Sequence, residues 1–299
     1  MTRKLRFFIA FTGLVTFCIT GQARTYYQQF SALTFKTDSV QQLALLNKWQ
    51  ADDPNDPELY VCFFNYFVNK STHELVSLDK RPGDNTSMEI QDSTGNTVGY
   101  IEDQVWMDPQ NLTLAFSYID EGIKAFPDRL DMRLGKIFIL GKADSFASFT
   151  SELIEAAHHG HEIGNKWLWS ENKEIDTPDK FFLTAVQDDI NTLYTSGGNQ
   201  VPMMRRVAEA VLRFYPKSVE LLSDMAITYL YDGELDKALK YLLEAEKISP
   251  KDGVVLSNIA ETYMRKKDKK KAIEYYKKVI ATGDPELAES AKERLKDMK

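Results

Sequence analysis

His158, His159 and His161, followed by Glu162, form the densest group of metal-ligand side chains in the chain. A zinc site on a helix needs histidines one turn apart on one face. Here the spacings are adjacent and two apart, with Gly160 between them, so the imidazoles diverge. The group reads instead as a helix C-terminus, where such side chains meet free carbonyls and Gly160 ends the helix. No metal and no cofactor are expected. The adjacent carboxylates Asp188 and Asp189 also point apart on a helix, a poor arrangement for acid–base work. No G-x-S-x-G, phosphate-binding glycine loop or H-E-x-x-H occurs in the sequence. A non-enzymatic protein is therefore expected. Catalytic residues assembled from distant positions leave a hydrolase as the third-ranked reading.

Two other groups could contact a ligand. Trp167 and Trp169 flank Leu168 in HHGHEIGNKWLWSENKEIDTP, residues 158–178. Tryptophans so placed can stack on sugars or anchor a partner, or they can pin the loop to the fold. The basic run from Arg265 to Lys271 suits an acidic surface or a solvated turn. Cys62, in the apolar run YVCFFNYF, has no basic residue within four positions to depress its pKa and reads as a small buried hydrophobe.

Helices must position these groups, and proline marks their ends. Pro54 closes a helix over Ser39–Trp49, and Pro57 opens another through Val68. Pro127 follows LTLAFSYIDEGIKAF. The next pair is Leu130–Gly141 and Ser145–His158, with Asp144 as N-cap. Thr177-Pro178 starts a helix through Phe182, Val186, Ile190 and Leu193, broken by Gly197-Gly198 and partnered by Met203–Tyr215. Between these helices, residues 69–107 contain SMEIQDSTGNTVGYIED, which reads as a β-hairpin turning at 93–96, with Leu75–Leu78 as a candidate third strand. A lone hairpin is marginal and must pack on helices.

The chain has 299 residues, 43% hydrophobic and 27% charged, with a net charge of −7. That composition excludes a disordered chain, and the acidic balance gives no reason to expect nucleic acid. Arg3, Lys4 and Arg6 precede an apolar stretch over Phe7–Ile19, and Gly21-Gln22-Ala23 supplies small residues at cleavage spacing. This is the order of a signal peptide ending at Ala23, and the stretch is too short and interrupted for a comfortable membrane span. Phe17 before Cys18 disfavours a lipid-attachment box. Cleavage would remove Cys18 and leave only Cys62, so no internal disulfide is expected. The expected location is the periplasm or the cell exterior, with no membrane span after cleavage.

Near the C-terminus two windows superimpose. Residues 219–252 and 253–286 pair Leu222 with Leu256, Met225 with Ile259, Ala226 with Ala260 and Tyr229 with Tyr263. Ala238 then pairs with Ala272, and Leu242 with Tyr276. A 34-residue period of this kind marks stacked helix–turn–helix units. With Ala245 and Pro250, these positions resemble the tetratricopeptide repeat (TPR) family. The resemblance is strong over 217–286, moderate over 109–158 and weak elsewhere. It implies a mainly all-α, right-handed solenoid of helical hairpins, here with a small β-hairpin insertion. The expected organisation is a signal peptide at 1–23, divergent repeat-like helices at 24–158, a long aromatic loop at 159–178, and repeats with a capping helix at 179–299.

The resemblance also implies a concave face, lined by first helices, that binds a protein or peptide. Mapped here, that face carries Leu134, Phe138, Ile227, Tyr231, Glu261 and Arg265, with Trp167 and Trp169 in the neighbouring loop. Asn258 sits at one position of the family's carboxylate clamp, but Ser257 and Glu261 replace its lysine and second asparagine, so a clamp is not expected. The leading expectation is a scaffold or adaptor for a protein or peptide. The second is a carbohydrate or envelope-polymer binder using Trp167 and Trp169.

Overall fold

The computed structural model describes residues 26–81, 87–196 and 200–298. The proposed signal segment, Cys18 and the Gly197-Gly198 break lie outside the described residues. The chain forms two compact units. One runs to Met132 and includes Ser170–Lys173, and the other holds Arg133–Trp169 and the chain from Glu174 onward.

The first unit contains α1 (Phe35–Asp52), α2 (Pro57–Ser71), β1 (Thr72–Asp79), β2 (Met88–Gln91), β3 (Thr97–Met107) and α3 (Pro109–Ala125). An Asp-Pro pair opens both α2 and α3. The Asp56 carboxylate accepts from Glu58 N–H at 2.9 Å, and that of Asp108 from Asn111 N–H at 2.9 Å. Each satisfies a free N-terminal amide, while proline at the first turn needs none. The two helices pack through aromatic rings. Phe63 stacks on Tyr118 at 4.2 Å, and Phe67 stacks on the same ring at 5.6 Å. Gly122 permits this approach, because a Cβ there would stand 2.8 Å from Tyr60 Cβ. Cys62 is buried between its neighbours, and burial pushes its thiol pKa up, with Glu58 adding to the effect.

The connection between α2 and α3 is the sheet. It has three strands in the order β1-β3-β2, so the expected hairpin gains β1, which includes Leu75–Leu78, as a full third strand. The β2–β3 turn is built by Asp92, whose carboxylate accepts from the amides of Thr94 (2.8 Å) and Asn96 (2.9 Å). Gly95 there has φ +85°, a backbone conformation that favours glycine.

Among its described residues the second unit is helical apart from a two-residue strand at Leu168–Trp169 and one strand residue at Glu174. It takes up α4 (Leu130–Lys142) from Arg133 onward, then α5 (Phe146–Glu162), α6 (Pro178–Thr195) and α7 (Val201–Leu212). The clear repeats follow as α8 (Val219–Tyr231), α9 (Leu235–Ile248), α10 (Gly253–Arg265) and α11 (Lys269–Thr282), with α12 (Pro285–Asp297) after them. Leu222, Ala226, Ala238, Leu242, Ala245, Leu256, Ile259, Ala260, Ala272 and Tyr276 share one buried cluster. The alanines let helix axes approach while the larger residues fill the gaps between them. The period extends to the tyrosines at the border of this core. Tyr229 stacks on Tyr241 and Tyr263 on Tyr275, each at 5.7 Å, with Lys237 and Lys271 over the first ring of each pair. Lys271, from the basic run, therefore covers an aromatic ring with its side chain.

Local expectations fail at α5. Gly160 does not end the helix, which continues to Glu162 and turns out through Gly164 and Asn165, both at positive φ. The reason is packing. A Cβ at residue 160 would lie 3.0 Å from the Trp167 ring, so glycine serves helix–loop contact here. Asp144 is not the N-cap either. It adopts φ +50°, and Ser145 takes the cap position. Pro285 stands in the first turn of α12.

Candidate partner-binding site

The first helices of successive pairs, α6, α8 and α10, lie side by side in the second unit. Gln187 Nε2 of α6 donates to Asp224 of α8 at 3.3 Å, and Arg265 of α10 donates to the Leu230 carbonyl of α8 at 3.4 Å. Tyr231, at the end of α8, is 60% exposed, and its ring meets Tyr194 of α6 edge-on at 6.1 Å. Hydrogen bonding to Tyr194 raises the Tyr231 phenol pKa. Leu193, Tyr194, Val201, Met204, Tyr231 and Asp232 are among the residues lining a shallow cleft of about 430 Å³.

Arg265 continues this row. Its Nε lies 3.4 Å from Glu261, which also accepts from the Tyr276 hydroxyl at 3.3 Å. Burial and the Glu261 charge push the Tyr276 phenol up to about 12. On the other side of Tyr231, Arg205 of α7 closes the end of α8. It donates to the Thr228 carbonyl (2.8 Å) and to Asp232 (2.7 Å), and stands 4.4 Å from the centre of the Tyr229 ring. A cation at a helix C-terminus satisfies free carbonyls and suits the helix dipole. The result is a fixed row of aromatic and charged groups, Tyr194, Tyr231, Arg265 and Glu261, open to solvent on one face. It offers ring faces and hydrogen-bonding groups at helix spacing, which suits a peptide.

The remaining expected residues divide. Ile227 is half-buried beneath Tyr231 on the same helix face. Phe138 is exposed on α4, with the Lys142 ammonium 5.5 Å from its ring centre, and Leu134 is half-buried one turn earlier. Trp169 is open and meets Phe181 edge-on at 5.2 Å. Trp167 is not a surface residue. It is 1% exposed, set between His159 at 5.4 Å and Phe182 at 6.3 Å. Tyr194 was invisible to the period, because it lies 37 residues before Tyr231 and not 34. A tyrosine in the last turn of a first helix was the signal available.

The histidines are held by aromatic rings. His158 meets Phe214 at 5.0 Å and His161 stacks on it at 4.5 Å. Among the described residues no three His, Cys, Asp or Glu side chains gather in a way that could hold a metal ion. No described helix is long and apolar enough to cross a membrane.

Two carboxylates stand out, one on α8 and one on α6. Burial pushes Asp224 up to about 7, against the Gln187 hydrogen bond and helped by Glu220. Burial, with Asp188 adding to it, takes Asp189 to about 7 as well. A carboxyl whose folded pKa is raised is protonated more readily in the native state. Its contribution to stability is therefore fully present below pH ~4 and is lost as pH rises to about 7. Asp224→Asn should flatten this part of the pH dependence and stabilise the protein at pH 8 by about 1–3 kcal/mol. Urea denaturation of both proteins at pH 5 and pH 8 checks it. An equal stability difference at the two pH values would refute the assignment.

Stacked helix pairs with this 34-residue step form a helical-hairpin repeat array, a class of protein-interaction scaffold. Residues 255–282, within α10 and α11, match the family model described as "Tetratricopeptide repeat". No curated protein sequence matches the chain significantly. Similar solved structures include YrrB, described as a TPR protein with an unusual peptide-binding site, at 14% identity and a TM-score of 0.44, covering 83% of this chain and 97% of that one. A C-terminal part of a TPR repeat-containing protein from Cytophaga hutchinsonii aligns at 14% identity and 0.45, covering 87% and 80%. PilW, described as a type IV pilus biogenesis factor, aligns at 12% identity and 0.40, covering 90% and 97%.

Proposed function

We propose that this protein is a non-catalytic scaffold that binds an extended peptide segment of a partner protein along the first-helix face of α6, α8 and α10. The observation that carries this reading is the exposed Tyr194–Tyr231 pair beside Arg265. Large aromatic side chains left open on a rigid helix face, next to a hydrogen-bonding cation, are the groups that dominate binding energy at interfaces. Phe138 and Leu134 extend the apolar surface on α4, and Trp169 with Phe181 supplies a further aromatic contact. With Trp167 in the core, a paired-tryptophan sugar platform loses half its surface, so carbohydrate binding is not adopted.

Affinity purification from the native host with mass spectrometry identifies the partner, and calorimetry then measures the variants. Tyr231→Ala and Tyr194→Ala should each weaken binding by about 2 kcal/mol, roughly thirtyfold. Both residues are exposed, so folding should survive. Lys270→Ala, exposed in the first turn of α11, should have a small, salt-sensitive effect. Folded tyrosine variants that bind like wild type, with loss in Lys270→Ala, would sink the proposal.

We propose also that the protein is exported. The support is the order of basic, apolar and small residues ending at Ala23. N-terminal sequencing of native protein should begin at Arg24, and a retained Met1 contradicts export by cleavage.

A further inference from the structure

The three-stranded sheet has two edges of unlike character. β2 is four residues long and its register shifts between Ile90 and Gln91, which interrupts pairing. β1 runs eight residues in unbroken register with β3, and among the described residues no strand pairs with its outer edge. Natural sheets shorten, bulge or cover an edge that must stay single, since its free N–H and C=O groups are a template for another strand. β2 shows two of those devices. β1 has no proline and no bulge.

The side chains along β1 are also uncovered. Leu78 pairs with Ile101, which pairs in turn with Met88, so these three share a face. The two-residue alternation of strands places Val76 and Val105 on the same face. Val76 and Leu78 are each 72% exposed, and Met88 and Val105 are nearly as open. A small sheet with an uncovered apolar face is poorly stabilised alone.

We infer that a second copy of this chain pairs antiparallel along β1, with the twofold axis at Ser77. On the apolar face, the even-numbered positions from Glu74 to Lys80 are complementary to themselves about that residue, while the opposite face sets Leu75 across from Asp79. Val76 and Leu78 each lie one position from Ser77, so Val76 of one copy stands opposite Leu78 of the other. Glu74 and Lys80, the residue directly after β1, each lie three positions away, so pairing that extends one residue past β1 sets Glu74 opposite Lys80. Symmetry repeats both pairs; strand alternation puts Glu74, Val76 and Leu78 on the apolar face, and Lys80 is next in the same alternation. Opposite charges and paired β-branched or aliphatic side chains stabilise directly opposed strand positions, whereas like charges destabilise them. A contact of this kind uses the same patch on both copies and closes as a dimer. A foreign strand would need no such self-complementarity.

Sedimentation equilibrium of the full mature chain and three variants tests this pairing. Wild type should dimerise. Glu74→Lys places lysine opposite lysine, and Lys80→Glu places glutamate opposite glutamate. Each should raise the dimer dissociation constant about tenfold. The double variant Glu74→Lys/Lys80→Glu restores opposite charges and should return the constant to near the wild-type value, a rescue that a merely structural role for either residue does not produce. A wild-type protein that stays monomeric at about 100 μM, where even a micromolar interface is populated, overturns the proposal and leaves the edge to another strand. So does a dimer indifferent to the single substitutions. Loss in both singles without rescue in the double overturns the register.

Discussion

Replacing Arg129 by methionine is expected to destabilise the first unit by about 3–5 kcal/mol. The guanidinium is 1% exposed and makes ion pairs with Glu58 at 2.8 Å and Asp131 at 2.7 Å. It also donates to the Asn172 side chain at 3.3 Å. Burial disfavours its charge, yet the carboxylates outweigh that effect and its pKa is raised. Glu58 in turn accepts from the Ser170 hydroxyl (3.2 Å) and the Glu171 amide (2.6 Å). Arg129 and Glu58 together therefore hold the 170–172 turn. Methionine leaves two carboxylates without their cation, and the cost comes mainly from the buried Glu58 charge. Adding Glu58→Gln to the variant should recover part of the loss. Hydrogen exchange of the α2 amides reads the first unit by itself and is the measurement of choice. A change below about 1 kcal/mol would show that water already solvates the cluster.

Trp167→Ala should cost about 3–5 kcal/mol, the range for removing a large buried aromatic side chain. The indole fills the space left by Gly160 and lies between His159 and Phe182, so truncation opens a cavity that helix α5 cannot close. Trp169→Ala, two residues on, should cost less, about 1 kcal/mol, because its residue is 37% exposed and its ring meets Phe181 edge-on. Thermal or urea denaturation of the two variants side by side checks the contrast. Equal losses would mean that both rings pin the loop.

That pair of tryptophans shows where sequence reasoning reaches its limit. Both look alike in the string WLW, and strand alternation puts positions 167 and 169 on the same side. Which of the two is core depends on a glycine seven residues before Trp167. The sequence signal of that glycine, a small residue near an expected helix end, is the same whether it ends a helix or receives an indole. The histidine group was readable as non-ligating from its spacing, but its stacking on Phe214 was not, since that residue is more than 50 positions away.

The repeat was legible because its physics is local and periodic. Each 34-residue unit must place small residues where helices meet and large ones between units, so Ala226, Ala238, Ala260 and Ala272 stand in register within the sequence itself. The prolines and the Asp-Pro caps mark helix ends by backbone chemistry that needs no tertiary partner. For the same reason the positions of Tyr231 and Arg265 on one face followed from the period. Tyr194 did not, because the central pair departs from the 34-residue step and only the packing of α6 on α8 brings its ring to Tyr231.

The amino-acid sequence thus determined the helical repeats, the interruption by strands and the face on which first helices align, since each rests on interactions between residues a few positions or one period apart. Tertiary structure alone decided which tryptophan is core, that Arg129 joins Glu58 and Asn172, and that β1 is a long open edge. Those outcomes depend on contacts between segments distant in sequence, whose meeting no local spacing encodes.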